Sequence, residues 1–253
     1  MPKFYVCSDI HGFYDEFKAA LDEAGFDEDN EEHCLVVCGD VWDRGKQPVE
    51  VMNYLVSLPR KVLVRGNHES LFEECVERGY PYDHDYSNGT FETIRMVCEA
   101  DRTTTLKAGM IKAGEIAKPF FSQMVNYFET KNYIFVHSWI PVNNEDGLPY
   151  YYTRNRKFSF NPDWRHAHHS DWEAARWGNP FDMAAKGFLP DKTVVFGHWH
   201  ASWPRCKYEN KPEWGSDADF SPYFGNGYIG IDACTAHSRK VNVLVLEDEF
   251  LNE

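Results

Sequence analysis

Acids and imidazoles recur in this chain directly after short apolar runs, where a fold gains nothing from placing them unless they act. Asp9 and His11 follow FYVC in SDIHG; Asp40, Asp43 and Arg44 follow CLVVC in GDVWDRG; Asn67 and His68 follow KVLVR in GNHE. His137 closes YIFVH, and His198 and His200 follow TVVFG in GHWH. Carboxylates desolvated at the end of a buried strand cost free energy unless a partner neutralises them. Divalent cations are such a partner. Mixed oxygen and nitrogen donors without thiolate suit Mn²⁺, Fe or Zn²⁺ better than Cu(I) or an all-oxygen Ca²⁺ cage. Asp40 can bridge, because a carboxylate has two oxygens. Two cations about 3.5–4 Å apart can clamp an in-line phosphoryl displacement.

The elements that must position these residues are readable from periodicity. FYVC (4–7), CLVVC (34–38) and KVLVR (61–65) read as strands separated by helical patterns at 13–25 and 48–58, with a third helix in ESLFEECVERG. Strand and helix alternating at this spacing predict parallel pairing through crossovers. TFETIRMVCEA and PFFSQMVNYFET predict a helical insertion over roughly 80–130. YIFVH (133–137) and TVVFG (193–197) resume the strands, followed by GYIGI (227–231) and VNVLVLE (241–247), whose connections predict an antiparallel component. Residues 141–192 read as long loops with a short helix near Asp171. The expected fold is α/β, one domain over 1–253. Ligand sites in open α/β sheets lie at the carboxyl ends of strands, and five strand ends here deliver acids, imidazoles and an amide. If the chain stays extended, Asp9 and His11 point to one side; if it turns, Gly12 permits it.

Composition narrows the classes. The 253 residues are 43% hydrophobic and 26% charged, enough for a sizeable core and not a disordered composition. A net charge of −14 argues against affinity for nucleic acid or anionic membrane. MPKFYVCSDIHG meets charge at once, so neither a secretory leader nor a membrane span is expected, and the expected location is the cytoplasm. Seven cysteines, an odd number without a C-x-x-C pair, read as free thiols.

Taken in order, D-x-H-G, G-D-x-x-D-R-G, G-N-H-E, a histidine after a strand and a later G-H resemble the calcineurin-like metallophosphoesterases. The D-R-G and G-N-H-E forms are similar to the phosphoprotein phosphatase branch, which holds bacterial Ser/Thr phosphatases and symmetrical diadenosine tetraphosphatases; FGHW and YIGIDAC also resemble the latter. The resemblance implies a β-sandwich of mixed sheets flanked by helices. It implies one metal on Asp9, His11 and Asp40, and a second on Asp40, Asn67, His137 and His198, with His200 a further candidate ligand. It implies metal-bound hydroxide attacking phosphorus, His68 as general acid oriented by Asp43, and phosphate held by Arg44, Asn67 and, in ARWGNP, Arg176. The implied substrate is a phosphomonoester, including phosphoserine or phosphothreonine on protein, with a dinucleoside tetraphosphate as the alternative. Outside enzymes, a non-catalytic binding module stabilised by metal would use the same ligands.

Four further features bear on specificity. Ser8, and Ser138 with Trp139, stand where that branch favours glycine. The cluster His166, His168 and His169 is a candidate extra metal site or an exposed run. Trp42, Trp139 and Trp199 could stack a nucleobase or pack a core. Arg154, Arg156, Lys157, Arg165 and Arg176, all in the long loop before GHWH, are the cations available to a polyphosphate.

Overall fold

The first three apolar runs become neighbouring parallel strands. In the computed structural model, which describes residues 1–145 and 157–251, β1 (Lys3–Cys7), β2 (His33–Cys38) and β3 (Lys61–Val64) pair with Tyr5 opposite Leu35 and Leu35 opposite Lys61. The crossovers are α1 (Tyr14–Ala24), stopped by Gly25 in the left-handed region, and α2 (Pro48–Ser57), which opens on its proline. Then come α3 (Asn67–Arg78), α4 (Asp83–Asn88), α5 (Thr90–Val97) and α6 (Leu106–Phe121), the last capped by the Thr105 hydroxyl.

The expectation of a helix over 119–130 is corrected here. Pro119 sits in the last turn of α6, and beyond Phe121 the chain forms β4 (Met124–Val125) and β5 (Phe128–Glu129). Pairing with existing strands overrides the local pattern: β4 adds parallel to β3, and β5 pairs antiparallel with β6 (Tyr133–Phe135). The ribbon of β7 (Asn143–Asn144) and β8 (Phe158–Ser159) follows, then α7 (His169–Ala175), α8 (Pro180–Ala185), β9 (Thr193–Phe196) and α9 (Ser202–Glu209). The chain closes with β10 (Tyr223–Gly225), β11 (Tyr228–Gly230), α10 (Thr235–Ser238) and β12 (Leu244–Glu247).

Two five-stranded sheets result, in the orders β12-β1-β2-β3-β4 and β10-β11-β9-β6-β5. Both are mixed: β12 and β10 run antiparallel to their neighbours while β6, β9 and β11 are parallel. Side chains alternate across each strand. Phe4, Val6, Val36 and Cys38 of the first sheet meet Phe135, Val195 and Ile229 of the second, forming the interior of a sandwich. On the outer face of the first sheet, Tyr5, Leu35 and Val37 pack against Phe17, Leu21, Val51 and Phe72 from the helices. Across the second, Ile134, Val194 and Phe196 pack against Trp172 and Phe181. Burial on both faces is why these strands read as continuous apolar runs rather than alternating ones. All seven cysteines are free thiols. No helix among the described residues is long and apolar enough to cross a membrane.

Candidate metal centre

At the carboxyl ends of these strands the backbone turns sharply. Asp9, His11, Asp40, Asp43, Arg44 and His198 all have positive φ, between 50° and 75°. Of the ten non-glycine residues in that region among the described ones, six are here, so the conformational cost is concentrated at one place. The first two loops brace each other: the Asp9 N–H donates to the Gly39 carbonyl (3.1 Å), that of His11 to the Asp40 carbonyl (2.9 Å) and that of Gly45 back to the His11 carbonyl (2.7 Å). Asp9 and His11 therefore lie on a turn, not on an extended strand end.

Asp40 is the hub. Its Oδ2 lies 3.8 Å from His11 Nε2 and 3.9 Å from His68 Nε2, and its Oδ1 lies 3.4 Å from His137 Nε2. Asp40 with His11 and His68, and Asp40 with His137 and His198, are the two groups of donors close enough to share an ion among the described residues. Asp9 stands beside the first, its Oδ1 3.8 Å from His11 Nε2 while its Oδ2 accepts the His198 N–H (2.9 Å).

The protonation pattern matches a cation site. His11 Nδ1 faces the Trp42 carbonyl and His137 Nδ1 the Cys38 carbonyl, each at 2.8 Å, so each Nδ1 carries the proton and each Nε2 turns a lone pair inward. His137 Nε2 then meets Asn67 Oδ1 at 2.8 Å and His198 Nδ1 at 3.2 Å. Two acceptors, His137 Nε2 and Asn67 Oδ1, thus face each other where a positive ion would satisfy both. Burial lowers the imidazoles here: His11 falls well below its ordinary range, with Arg44 and His68 adding to the effect, and His198 is pushed down to about 3. Burial alone would raise the Asp40 carboxyl, but His137, His68 and His11 around it act the other way and lower it. Burial, then Asp232 and Asp40, push Asp9 upward, a repulsion that a bound cation would relieve.

His68 is arranged differently. Its Nδ1 is 2.7 Å from Asp43 Oδ2, which also accepts the Thr90 hydroxyl (2.6 Å), and its Nε2 is 3.2 Å from Arg44 Nη2. Burial alone would lower its pKa, but Asp40 and the Asp43 hydrogen bond outweigh burial and raise it. A guanidinium against Nε2 is a poor neighbour for a metal at that atom, and a good one for a phosphate between them.

Several expected site residues are not brought in. His200 turns away, Nδ1 on the Ser202 hydroxyl (2.8 Å), Nε2 3.5 Å from Glu213 and its ring 4.5 Å from that of Trp214. Arg176 is buried, its fork already bonded to Glu173, Asn126 and Ser70. His166 pairs with Asp163, His168 caps α7 and His169 pairs with Glu173, so those three do not converge. Trp42 and Trp139 are core residues, Trp42 packed on Phe72, Phe120 and Phe121, so neither can stack a ligand; Trp199 is half-buried against Trp203. Arg165 is committed to Glu129 and Asp191, and Arg154 and Arg156 lie outside the described residues.

Sequence reasoning missed three contributors. Glu69 is fully buried and accepts the N–H groups of Gly66 (2.7 Å), Asp40 (3.0 Å) and Val41 (2.9 Å), stapling the GNHE loop to the GDVWDRG loop. The Thr235 hydroxyl donates to the Asp9 carbonyl (2.8 Å). Asp232, buried after β11, has a carboxyl that burial pushes up to about 6, and its charge acts on Asp9. The signal for Asp232 was present: an acid directly after an apolar strand, as at Asp9 and Asp40. Glycines complete the loops. A Cβ on Gly66 would collide with the Asp40 carboxylate and backbone, and one on Gly197 with the carboxylate of Asp9.

Over 66 residues the chain is 41% identical to a symmetrical bis(5'-nucleosyl)-tetraphosphatase of Buchnera aphidicola, a match covering 26% of this chain and 23% of that protein. Over 72 residues it is 39% identical to an asymmetrical bis(5'-nucleosyl)-tetraphosphatase of Bacillus velezensis, covering 25% and 29%. The matches thus span about a quarter of these curated relatives. The fold superposes on a cold-active protein-tyrosine phosphatase of Shewanella sp. with a TM-score of 0.51 at 14% identity, covering 98% of this chain and 76% of that one. It also matches a structure named as a candidate diadenosine tetraphosphatase, with a TM-score of 0.54 at 14% identity, covering 97% and 91%. At such identities the likeness speaks for the fold alone. The sequence pattern of the calcineurin-like phosphoesterases matches residues 2–202. Because that pattern runs from β1 through the GHWH turn, across the loops from Asp9 to His198, the chain belongs to the calcineurin-like phosphoesterase family.

Proposed function

We propose that the protein is a metal-dependent phosphoesterase that hydrolyses phosphomonoesters at this centre. The observation that carries the reading is the shared Asp40, with unprotonated donor atoms on both of its sides and the His68–Asp43 pair at one edge. Asp9, His11 and Asp40 would hold one divalent cation, and Asp40, Asn67, His137 and His198 the other. When bound, two such cations supply Lewis-acid activation of the attacking water and neutralise phosphate charge.

The remaining chemistry belongs to the chain. Arg44 offers a planar fork to two phosphate oxygens. A phosphate that draws Arg44 toward itself leaves His68 Nε2 facing the ester oxygen. Asp43 fixes the ring through Nδ1 and stabilises its positive charge, so Nε2 can hold a proton and release it to the departing oxygen. Thr90 in turn fixes Asp43.

Within this reading, a Ser/Thr protein phosphatase is the leading case, although the D-R-G and G-N-H-E loops are common to that class and to the symmetrical tetraphosphatases. The names of the curated relatives favour a second one, a symmetrical tetraphosphatase. A single panel tests both: Mn²⁺-loaded and chelator-stripped protein, its metal content measured, against an aryl phosphate, phosphopeptides and diadenosine tetraphosphate. The expected result is monoester hydrolysis that disappears with the metal. Full activity in metal-free protein overturns the proposal, and turnover of the tetraphosphate alone replaces it with the second reading.

A further inference from the structure

A cavity of about 670 Å³, within the range of small-molecule sites, opens beside the turn after β11 that bonds the Asp9 loop. Two chain segments connect the cavity to the centre. In the turn after β11, Thr235 holds the Asp9 carbonyl while Ala233 and His237 line the cavity. In the turn after β9, the His198 N–H holds the Asp9 carboxylate, while the ring of His200 lies 4.5 Å from that of Trp214 and 6.0 Å from that of Phe220, which also lines the cavity.

These rings form a connected surface: Trp214 to His237 is 5.4 Å between centroids, and Phe220 to His237 is 5.5 Å. It is not a core, because Trp214 is 52% exposed and His237 is exposed. The loop carrying Phe220 is fixed from behind. Buried Arg205 donates to the carbonyls of Ser221 (2.9 Å) and Pro222 (3.1 Å) and pairs with Asp219 (3.0 Å), and Asn242 Nδ2 donates to the Phe220 carbonyl (2.7 Å). The same Arg205 contact neutralises the acid that lines the cavity. Ser216 and Ser238 add hydroxyls and Lys240 a positive charge, in a chain whose net charge is −14.

We infer that this cavity is a nucleoside subsite: it receives the base and sugar of a nucleoside phosphate whose phosphoryl group sits at the metal centre. Exposed aromatic faces stack a planar ring of any base, the hydroxyls serve its polar edges and the sugar, and a fixed loop spares the ordering cost of binding. A phosphoserine peptide would use none of these rings. The inference rests on the phosphoesterase reading, naming the organic part of its substrate.

The test separates the two. Adenosine has no phosphate, so its binding reports on the cavity alone. Titration calorimetry should show adenosine binding to wild-type protein. Phe220→Ala and the exposed His237→Ala should each weaken it roughly 5- to 100-fold, the range for loss of one base–aromatic stack. The same variants should lower kcat/KM for adenosine 5'-monophosphate relative to that for glycerol phosphate, through KM. Wild-type protein that binds no adenosine, or variants that bind it unchanged, overturn the inference even if metal-dependent hydrolysis of glycerol phosphate stands. Adenosine binding by a protein inactive on every ester would keep the subsite and remove the phosphoesterase reading.

Discussion

The two sheets contribute unequally to the centre. Loops of the first supply Asp9, His11, Asp40, Asn67 and His68, together with Glu69, which fastens those loops to each other. The second supplies His137 and His198, and both are anchored on the first: His137 through its Nδ1 to the Cys38 carbonyl, and His198 through its N–H to Asp9. One sheet therefore carries the acid shared by both donor groups, the His68–Asp43 pair and the bracing, while the other adds two imidazoles held by backbone contacts and, behind Asp9, the carboxyl of Asp232. The donor group of Asp40, His137 and His198 is assembled only by the docking of the two sheets.

Substituting Asp40 should have the largest effect, since it belongs to both donor groups. Asp40→Asn is expected to lose both cations and to reduce hydrolysis by more than the roughly 10–100-fold typical of outer-shell changes at metal sites. His198→Ala should retain one cation per chain. Elemental analysis of the two proteins decides; equal losses would mean that the sheets contribute alike. Next in size is His68→Asn, expected to keep its metal and lose about 10²–10⁴-fold in kcat on an alkyl phosphate. On nitrophenyl phosphate the loss should shrink, because that leaving group needs no proton. A variant that instead loses an ion would make His68 a ligand, as its distance to Asp40 also permits.

The smallest effect tests the seam away from the centre. Ser70 on α3 and Arg176 after α7 both bond Glu173. Burial alone would raise the Glu173 carboxyl, but Arg176 and these hydrogen bonds outweigh it and lower it. A carboxyl depressed in the folded state stabilises above its unfolded value, and that contribution is lost as pH falls through the folded value. Glu173→Gln should cost about 1.5–3 kcal/mol at pH 7. The gap between variant and wild type in urea denaturation should close toward pH 3; a gap independent of pH would assign the loss to packing.

Much of this was legible in the sequence, for a physical reason. A parallel strand buried on both faces leaves an unbroken apolar run, and the chain must turn where that run ends, so chemistry at 9–11, 40–44 and 67–68 announces itself. The same rule would have flagged Asp232, which GYIGI precedes. Residues acting through the backbone leave no such mark: Glu69 reads as an ordinary helix-starting acid until Gly66, Asp40 and Val41 are seen to converge on it. Segment 119–130 misled because its strands exist only by pairing with β3 and β6. His200 misled because an H-x-H pair looks the same whether or not the second ring turns toward Trp214.

Gly66 and Gly197 lie against the carboxylates of Asp40 and Asp9, with no room for a methyl group. The consequence reaches how this centre could be damaged or retuned without touching a ligand. A single added carbon at either glycine would displace a carboxylate rather than delete it. Such a variant would keep its full complement of donors while their geometry was wrong. Two positions that bind nothing thus constrain the centre, and a search for altered metal preference has reason to start there.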